Sequence, residues 1–256
     1  MSTQYESLPL PHLYPDAFGV PAPLIEVPRE LWRRQPGVFI RRLETAAPVV
    51  EPSGDADPAT ATEADAAGTP AVPTAPAVAP TVQRELVAGQ LGLAPRWAKS
   101  ASDAHLRGTK LVNARAETVT TSNHFRDAWL AGQRCIVPMQ SFLEDDFRSG
   151  KAVPTRITRI DGKPMGVAGL WECWEGKDGE TIVSYTLLTV NANSHALLHR
   201  YQQPGAEKRM LAVLNEGAFD AWLGARVDKA KEFLRPYPAT QLTANPVEKK
   251  KRDPRT

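Results

Sequence analysis

The chain has 256 residues, 42% of them hydrophobic and 23% charged, ordinary proportions for a globular fold with a sizeable buried core. A formal net charge of +2 is too small to argue for a nucleic-acid partner by itself, so any partner must be recognised by local sites. Cys135 and Cys173 lie in apolar, strand-like runs without CxxC spacing, which excludes a zinc site and a disulfide framework and leaves no metal or cofactor to expect. No segment is long and apolar enough to span a membrane, and the N-terminus has no signal-peptide pattern, so a cytoplasmic protein is expected.

Residues 1–43 carry Tyr5, Tyr14, Phe18, Trp32 and Phe39, enough apolar area to dock on a core. Six prolines between positions 9 and 28 rule out a long helix there, and VFIRRL (38–43) alternates as a strand does. From about 44 to 82 the chain turns to Ala, Pro, Thr and acidic residues without aromatics, the composition of an inserted loop. ELVAGQL predicts a strand, followed by a turn exposing Trp97-Ala98-Lys99. HFRDAWLAG (124–132) has helical spacing and a terminal glycine. CIVPMQSFLE, AVPTRITRI, PMGVAGLWECW, IVSYTLLTVNAN and KRMLAVL predict strands, the second and third joined by an Asp161-Gly162 turn. SHALLHRY, EGAFDAWLG and DKAKEFLRPY read as helical. Many short strands with helices inserted between them predict an α+β fold: a twisted, mostly antiparallel sheet forming an open barrel with flanking helices. The expected organisation is a single domain, 1–240, interrupted by the 44–82 insertion and followed by a basic flexible tail, 241–256.

Within Lys110–Glu144, Asn113, Arg115 and Glu117 alternate along extended backbone and so share one face. Polar donors beside a carboxylate suit a phosphorylated ligand; an exposed strand face with an ion pair is the alternative.

LGLAPRWAKS, LVNARAETV, FRDAW, QRCIVPMQSFLE, SGKAV, GKPMGVAGLWECW, LLTVNANSH, PGAEKRM and EFLRPYPA occur here in that order. With them the chain resembles the SOS response-associated peptidase family, the abasic site processing proteins. The resemblance implies a barrel-like α+β fold that grips single-stranded DNA in a basic groove. It also implies covalent capture of the abasic sugar aldehyde by an N-terminal cysteine after removal of Met1, as a thiazolidine. A glutamate and a histidine act there as acid and base, and an asparagine and an arginine hold flanking phosphates. The formal label of peptidase reflects removal of the family's own first methionine.

Carried onto this chain, the resemblance places Asn113 and Arg115 near phosphate and makes Glu144 the active-site carboxyl, with Leu143 where the family has an aromatic. Ser2 stands where the family has cysteine, keeping the α-amine but exchanging thiol for hydroxyl. Gln202 stands where the catalytic histidine is expected, His195 aligns with a non-catalytic one, and His199 is the candidate replacement or else a surface histidine. Trp97, between Arg96 and Lys99, is the candidate base-stacking platform, whereas Trp171 and Trp174 are expected in the core. Arg84, Arg126 and Arg209 are candidate groove charges or ordinary surface ones. The expected partner is single-stranded DNA with an abasic site, processed by covalent or lyase chemistry that Ser2 and Gln202 alter. The alternative is a non-catalytic module for damaged or single-stranded DNA.

Overall fold

The computed structural model describes residues 4–43 and 82–247. Its strands are β1 (Gln4–Glu6), β2 (Glu30–Trp32), β3 (Pro36–Arg42), β4 (Arg84–Leu91), β5 (Asn113–Arg115), β6 (Arg134–Met139) and β7 (Ser141–Asp146). They continue as β8 (Val153–Arg159), β9 (Met165–Glu175), β10 (Thr181–Asn191), β11 (Arg209–Leu211), β12 (Val213–Leu214) and β13 (Leu242–Pro246). Four short helices accompany them: α1 (Leu13–Phe18), α2 (Ala101–Gly108), α3 (Arg126–Leu130) and α4 (Phe219–Gly224).

β3, β4, β10, β9 and β6 pair in a ring, so the expected barrel is closed rather than open. Every pairing in the ring is antiparallel except β4 with β10, where Ser184 lies opposite Gln90. Closure leaves β6 covered on both faces, which is why CIVPM (135–139) is apolar without alternation and the whole strand is buried. Gly169 on β9 is required by this crowding, because a Cβ there would lie 2.6 Å from the Thr186 carbonyl oxygen and 2.9 Å from Cys135 Sγ. β3 and β4 pair from Pro36↔Gln90 to Arg42↔Arg84, so the chain leaves and re-enters at neighbouring positions on either side of 44–81.

A second sheet runs β13-β8-β7-β1-β2. Between β6 and β7 the chain passes from barrel to second sheet across Gln140, whose N–H donates to the Glu6 carbonyl at 2.8 Å. The buried hydroxyls of Tyr5 and Tyr185, 2.6 Å apart, tie β1 to the barrel. Trp222 on α4 is fully buried and donates its indole N–H to the Cys135 carbonyl at 2.8 Å. Truncating such a ring costs about 3–5 kcal/mol.

Several local expectations are revised. The Asp161-Gly162 turn forms, with Gly162 at φ +74°, yet it links strands of different sheets rather than a hairpin. KRMLAVL divides at Ala212: β11 pairs with β10 and β12 with β9, because barrel curvature swings the chain from one partner to the other. SHALLHRY and DKAKEFLRPY contain only 3-10 turns, Leu198–Arg200 and Ala230–Phe233, the latter stopped short of Pro236. Residues 242–246, assigned to the tail from sequence, form β13 against β8, with Leu242 opposite Arg159. Alternation was too weak there to signal a strand that needs β8 to exist. α2 was not anticipated; Ser100 caps it, accepting from the Asp103 N–H at 3.2 Å. Ala98 is buried, so of the expected exposed triplet only Trp97 and Lys99 face outward.

Candidate functional site

Glu144 lies on β7, 4% exposed and opposite Thr155 of β8. The neighbouring strand β1 runs antiparallel, with Tyr5 opposite Phe142 and Glu6 opposite Ser141. β1 therefore begins, at Gln4, on the side of β7 that leads to Leu143 and Glu144. Glu6 anchors this arrangement. Burial alone would raise its pKa, but Arg156 (2.9 and 2.6 Å) and the Ser141 hydroxyl (2.5 Å) outweigh burial and hold the carboxyl below its ordinary range. Ser2 itself lies outside the described residues.

On β5, Asn113 is half-buried, Ala114 buried and Arg115 exposed, and the alternation continues through buried Ala116 to exposed Glu117. β5 is held in parallel register by β10, with Ala114 opposite Leu188. The Arg115 side chain is 53% exposed and lies 3.2 Å from Glu207. Glu207 also takes the Arg209 guanidinium at 2.9 Å and the Asn191 amide at 3.0 Å. Arg209 in turn forks onto Glu117 at 3.1 and 2.8 Å and donates to the Thr189 carbonyl at 2.7 Å. Burial would lower the pKa of Arg209, yet its two carboxylates raise it, and the same pairing lowers that of Glu117 against burial.

One backbone hydrogen bond and one side-chain clamp, both from Gln202, join this charged edge to β7. The Gln202 N–H donates to the Asp145 carbonyl at 2.7 Å, next to Glu144. The Gln202 side chain closes on the backbone of Arg209, donating to its carbonyl at 2.5 Å and accepting its N–H at 3.2 Å. One hydrogen-bonded path thus runs from the Glu144 strand through Gln202 and Arg209 to Glu117 and Glu207, and on to Arg115.

The other predicted residues divide by environment. Arg209, expected as a groove charge, is 2% exposed and spends its fork on Glu117, Glu207 and Thr189, so it orders the edge rather than lining a groove. Arg84 is likewise structural, bonded to Asp220 at 2.7 Å and to the Phe18 carbonyl at 2.8 Å. Arg126 is at the surface, 3.2 Å from Asp127. Trp97 is exposed as expected, but its ring already carries the Arg107 guanidinium 4.4 Å from its centroid and His124 at 5.6 Å. Arg96 beside it is paired with buried Glu172, whose pKa burial raises despite that partner. Lys99 is exposed. Trp171 and Trp174 are in the core, as read from sequence.

His199 is exposed, and its Nδ1 lies 2.8 Å from the His195 carbonyl oxygen. His195 is buried; Nε2 faces the Tyr237 carbonyl at 2.7 Å and Nδ1 accepts the Leu198 N–H at 3.0 Å. Those partners hold the ring in place, a structural task. Sequence reasoning missed Glu207 and Glu6. Glu207 and Arg209, two apart at a strand start, share a face, and that spacing was the available signal. Among the described residues no group of His, Cys, Asp or Glu could hold a metal ion.

A closed α+β barrel, an N-terminal strand set against a carboxylate-bearing one, and an arginine edge stapled to both define a barrel protein with a polar site at a sheet junction. The SOS response associated peptidase (SRAP) family model matches residues 38–253, and the chain belongs to that family. It is 31% identical over 160 residues to the abasic site processing protein YoqW of Bacillus subtilis, covering 61% of this chain and 66% of that protein. With the abasic site processing protein HMCES of Gallus gallus it shares 25% identity over 186 residues, 64% of this chain and 53% of that protein. The matched stretch thus spans just under two thirds of the first relative and about half of the second. A crystal structure of a Bordetella bronchiseptica protein superimposes with a TM-score of 0.75 at 36% identity, covering 97% of this chain and all of that one (100%). A Bacteroides thetaiotaomicron structure gives a TM-score of 0.58 at 27% identity, over 64% of this chain and 70% of that one. No described helix is long and apolar enough to cross a membrane.

Proposed function

We propose that this chain binds single-stranded DNA at an abasic site, in the cytoplasm, as part of a DNA-damage response. The observation that carries this reading is the β5 edge: an exposed Arg115 beside Asn113, braced from behind by buried Arg209 and linked through Gln202 to the Glu144 strand. An exposed guanidinium on a rigid edge is a phosphate contact in search of a backbone. Trp97, Arg96, Lys99 and Arg126, all exposed, are proposed as further strand contacts. We also propose a single domain that runs through β13 to Pro246, in which 44–82 is an insertion; the pairing of Arg42 with Arg84 and of β13 with β8 supports this.

The chemistry starts from the amine of Ser2 after loss of Met1. An α-amine titrates near pH 8, so a useful fraction is neutral at physiological pH. Nitrogen adds to the sugar aldehyde, Glu144 protonates the departing hydroxyl, and water leaves as the imine forms. Loss of the sugar C2′ proton then expels the 3′ phosphate by β-elimination and nicks the strand. The serine hydroxyl closing on the imine gives an oxazolidine, more readily hydrolysed than the thiazolidine a thiol gives. The start of β1 beside Leu143 supports delivery of the amine to Glu144.

A second reading, a non-catalytic binding module, is favoured by one specific feature. The Gln202 amide is consumed by the Arg209 backbone and His199 faces outward, so neither supplies an acid or base. Borohydride reduction of the protein with an abasic oligonucleotide separates the readings. A trapped adduct that disappears in Glu144→Gln supports lyase chemistry. Binding without any adduct leaves the module, and no difference in affinity between abasic and intact strands removes abasic recognition.

A further inference from the structure

A pocket of about 630 Å³ opens at the far end of β6, between the end of β3, the turn that follows α3, and the end of α4. Among the described residues Arg42, Arg134 and Arg226 line it, and no carboxylate does. Arg134 begins β6, a six-residue extended run roughly 17 Å long, and Glu144 lies beyond its opposite end, on β7 of the second sheet. The two places are separate.

Arg134 is 6% exposed. Its Nε donates to the Trp222 carbonyl at 3.0 Å and a second N–H reaches the Ala225 carbonyl, which orients the guanidinium. The remaining Nη1 is buried and has no hydrogen-bond partner among the described residues. Neighbouring Gln133 is buried too, and its Oε1 also lacks a partner among them. Among the described residues no ion pair holds Arg42, and the Arg226 guanidinium meets only Asp228, at 3.2 Å on the exposed side. Trp171 offers no open ring face, since Phe39 stacks at 6.1 Å and Arg41 sits 4.4 Å from its centroid. Stacking of a base is therefore excluded, and recognition must be of charge.

We propose that this pocket is a second, separate binding site for a phosphate monoester. Arg42 and Arg226 at the rim and the unmet N–H of Arg134 supply donors to the charged oxygens. Gln133 Oε1 supplies the acceptor that a protonated phosphate oxygen needs, a feature useless to a phosphodiester. Free phosphate and the terminal phosphate of a DNA strand share this chemistry.

The test is calorimetric titration of the full chain with inorganic phosphate at fixed ionic strength. The Arg42→Gln/Arg226→Gln double variant, exposed at both positions and safe to fold, serves as comparison. Saturable binding weakened on the order of tenfold or more in the double variant is expected for two charge-assisted contacts. Absent binding, or equal binding by both proteins, overturns the site. In competition, displacement of phosphate by a 5′-phosphorylated strand but not by its unphosphorylated twin assigns the strand end. Displacement by neither assigns free phosphate. Equal displacement by both means that internal phosphodiesters bind, which overturns the monoester assignment.

Discussion

The Gln202 side chain hydrogen-bonds both backbone polar groups of Arg209, its Nε2 to the carbonyl at 2.5 Å and its Oε1 from the N–H at 3.2 Å. A planar amide imitates a neighbouring strand here and holds the start of β11 in place. Its own backbone is in the left-handed region, φ +66°, a conformation that non-glycine residues adopt only when their surroundings compel it. The position where the family resemblance leads one to expect an acid-base histidine is thus a structural clamp. Gln202→Ala is expected to lower stability by about 2 kcal/mol, because it strands two buried backbone groups. Gln202→His can meet one of the two and is expected to fall between wild type and alanine. Urea denaturation of the three proteins checks the order.

Arg209 is the buried centre of the charged edge. Arg209→Ala leaves Glu117 and Glu207 facing each other without their cation, and about 3 kcal/mol is expected to be lost. That is the low end for a broken buried pair, since both carboxylates are partly exposed. Arg209→Lys should recover less than half, because an ammonium cannot fork onto two carboxylates and a carbonyl at once. Thermal unfolding of both variants gives the comparison.

Arg115 should behave in the opposite way. Its side chain is half exposed and, among the described residues, paired only with Glu207, so Arg115→Ala is expected to change stability by less than about 0.5 kcal/mol. If it contacts a phosphate, affinity for single strands should fall uniformly across sequences, and the slope of log K against log salt should shrink by about 1. Fluorescence anisotropy at several salt concentrations reads both quantities. An unchanged slope would remove Arg115 from the interface.

The Glu6–Arg156 pair makes a pH prediction. The folded-state pKa of Glu6 lies below its ordinary value of 4.5. Its stabilisation is therefore fully present above that ordinary value and is lost as pH falls through the depressed folded one. Other carboxylates titrate in the same range, so the comparison is with Glu6→Gln. At pH 7 the variant should be less stable by about 2 kcal/mol, a figure moderated by the partial exposure of Arg156. The two proteins should converge as the pH falls through the depressed folded-state value of Glu6. Chemical denaturation followed across that range measures the gap.

Much of the architecture was legible in the chain itself. Alternation in VFIRRL, the apolar run CIVPM and the long run of β-branched and aromatic residues in β10 each carried a strand, because side-chain period and burial are local properties. Asn113, Arg115 and Glu117 emerged as one face for the same reason. What the sequence could not decide was which strands meet and what each polar group meets there. Closure of the barrel depends on β9 and β4 both reaching β10, and β13 exists only because β8 offers an edge. Whether Arg209 is a groove charge or a buried brace turns on Glu117, 92 residues away, and the clamp role of Gln202 on the fold of one loop. A charged side chain reads the same in the sequence whether water or a carboxylate receives it; only tertiary packing, which sets its desolvation and its partner, makes the difference.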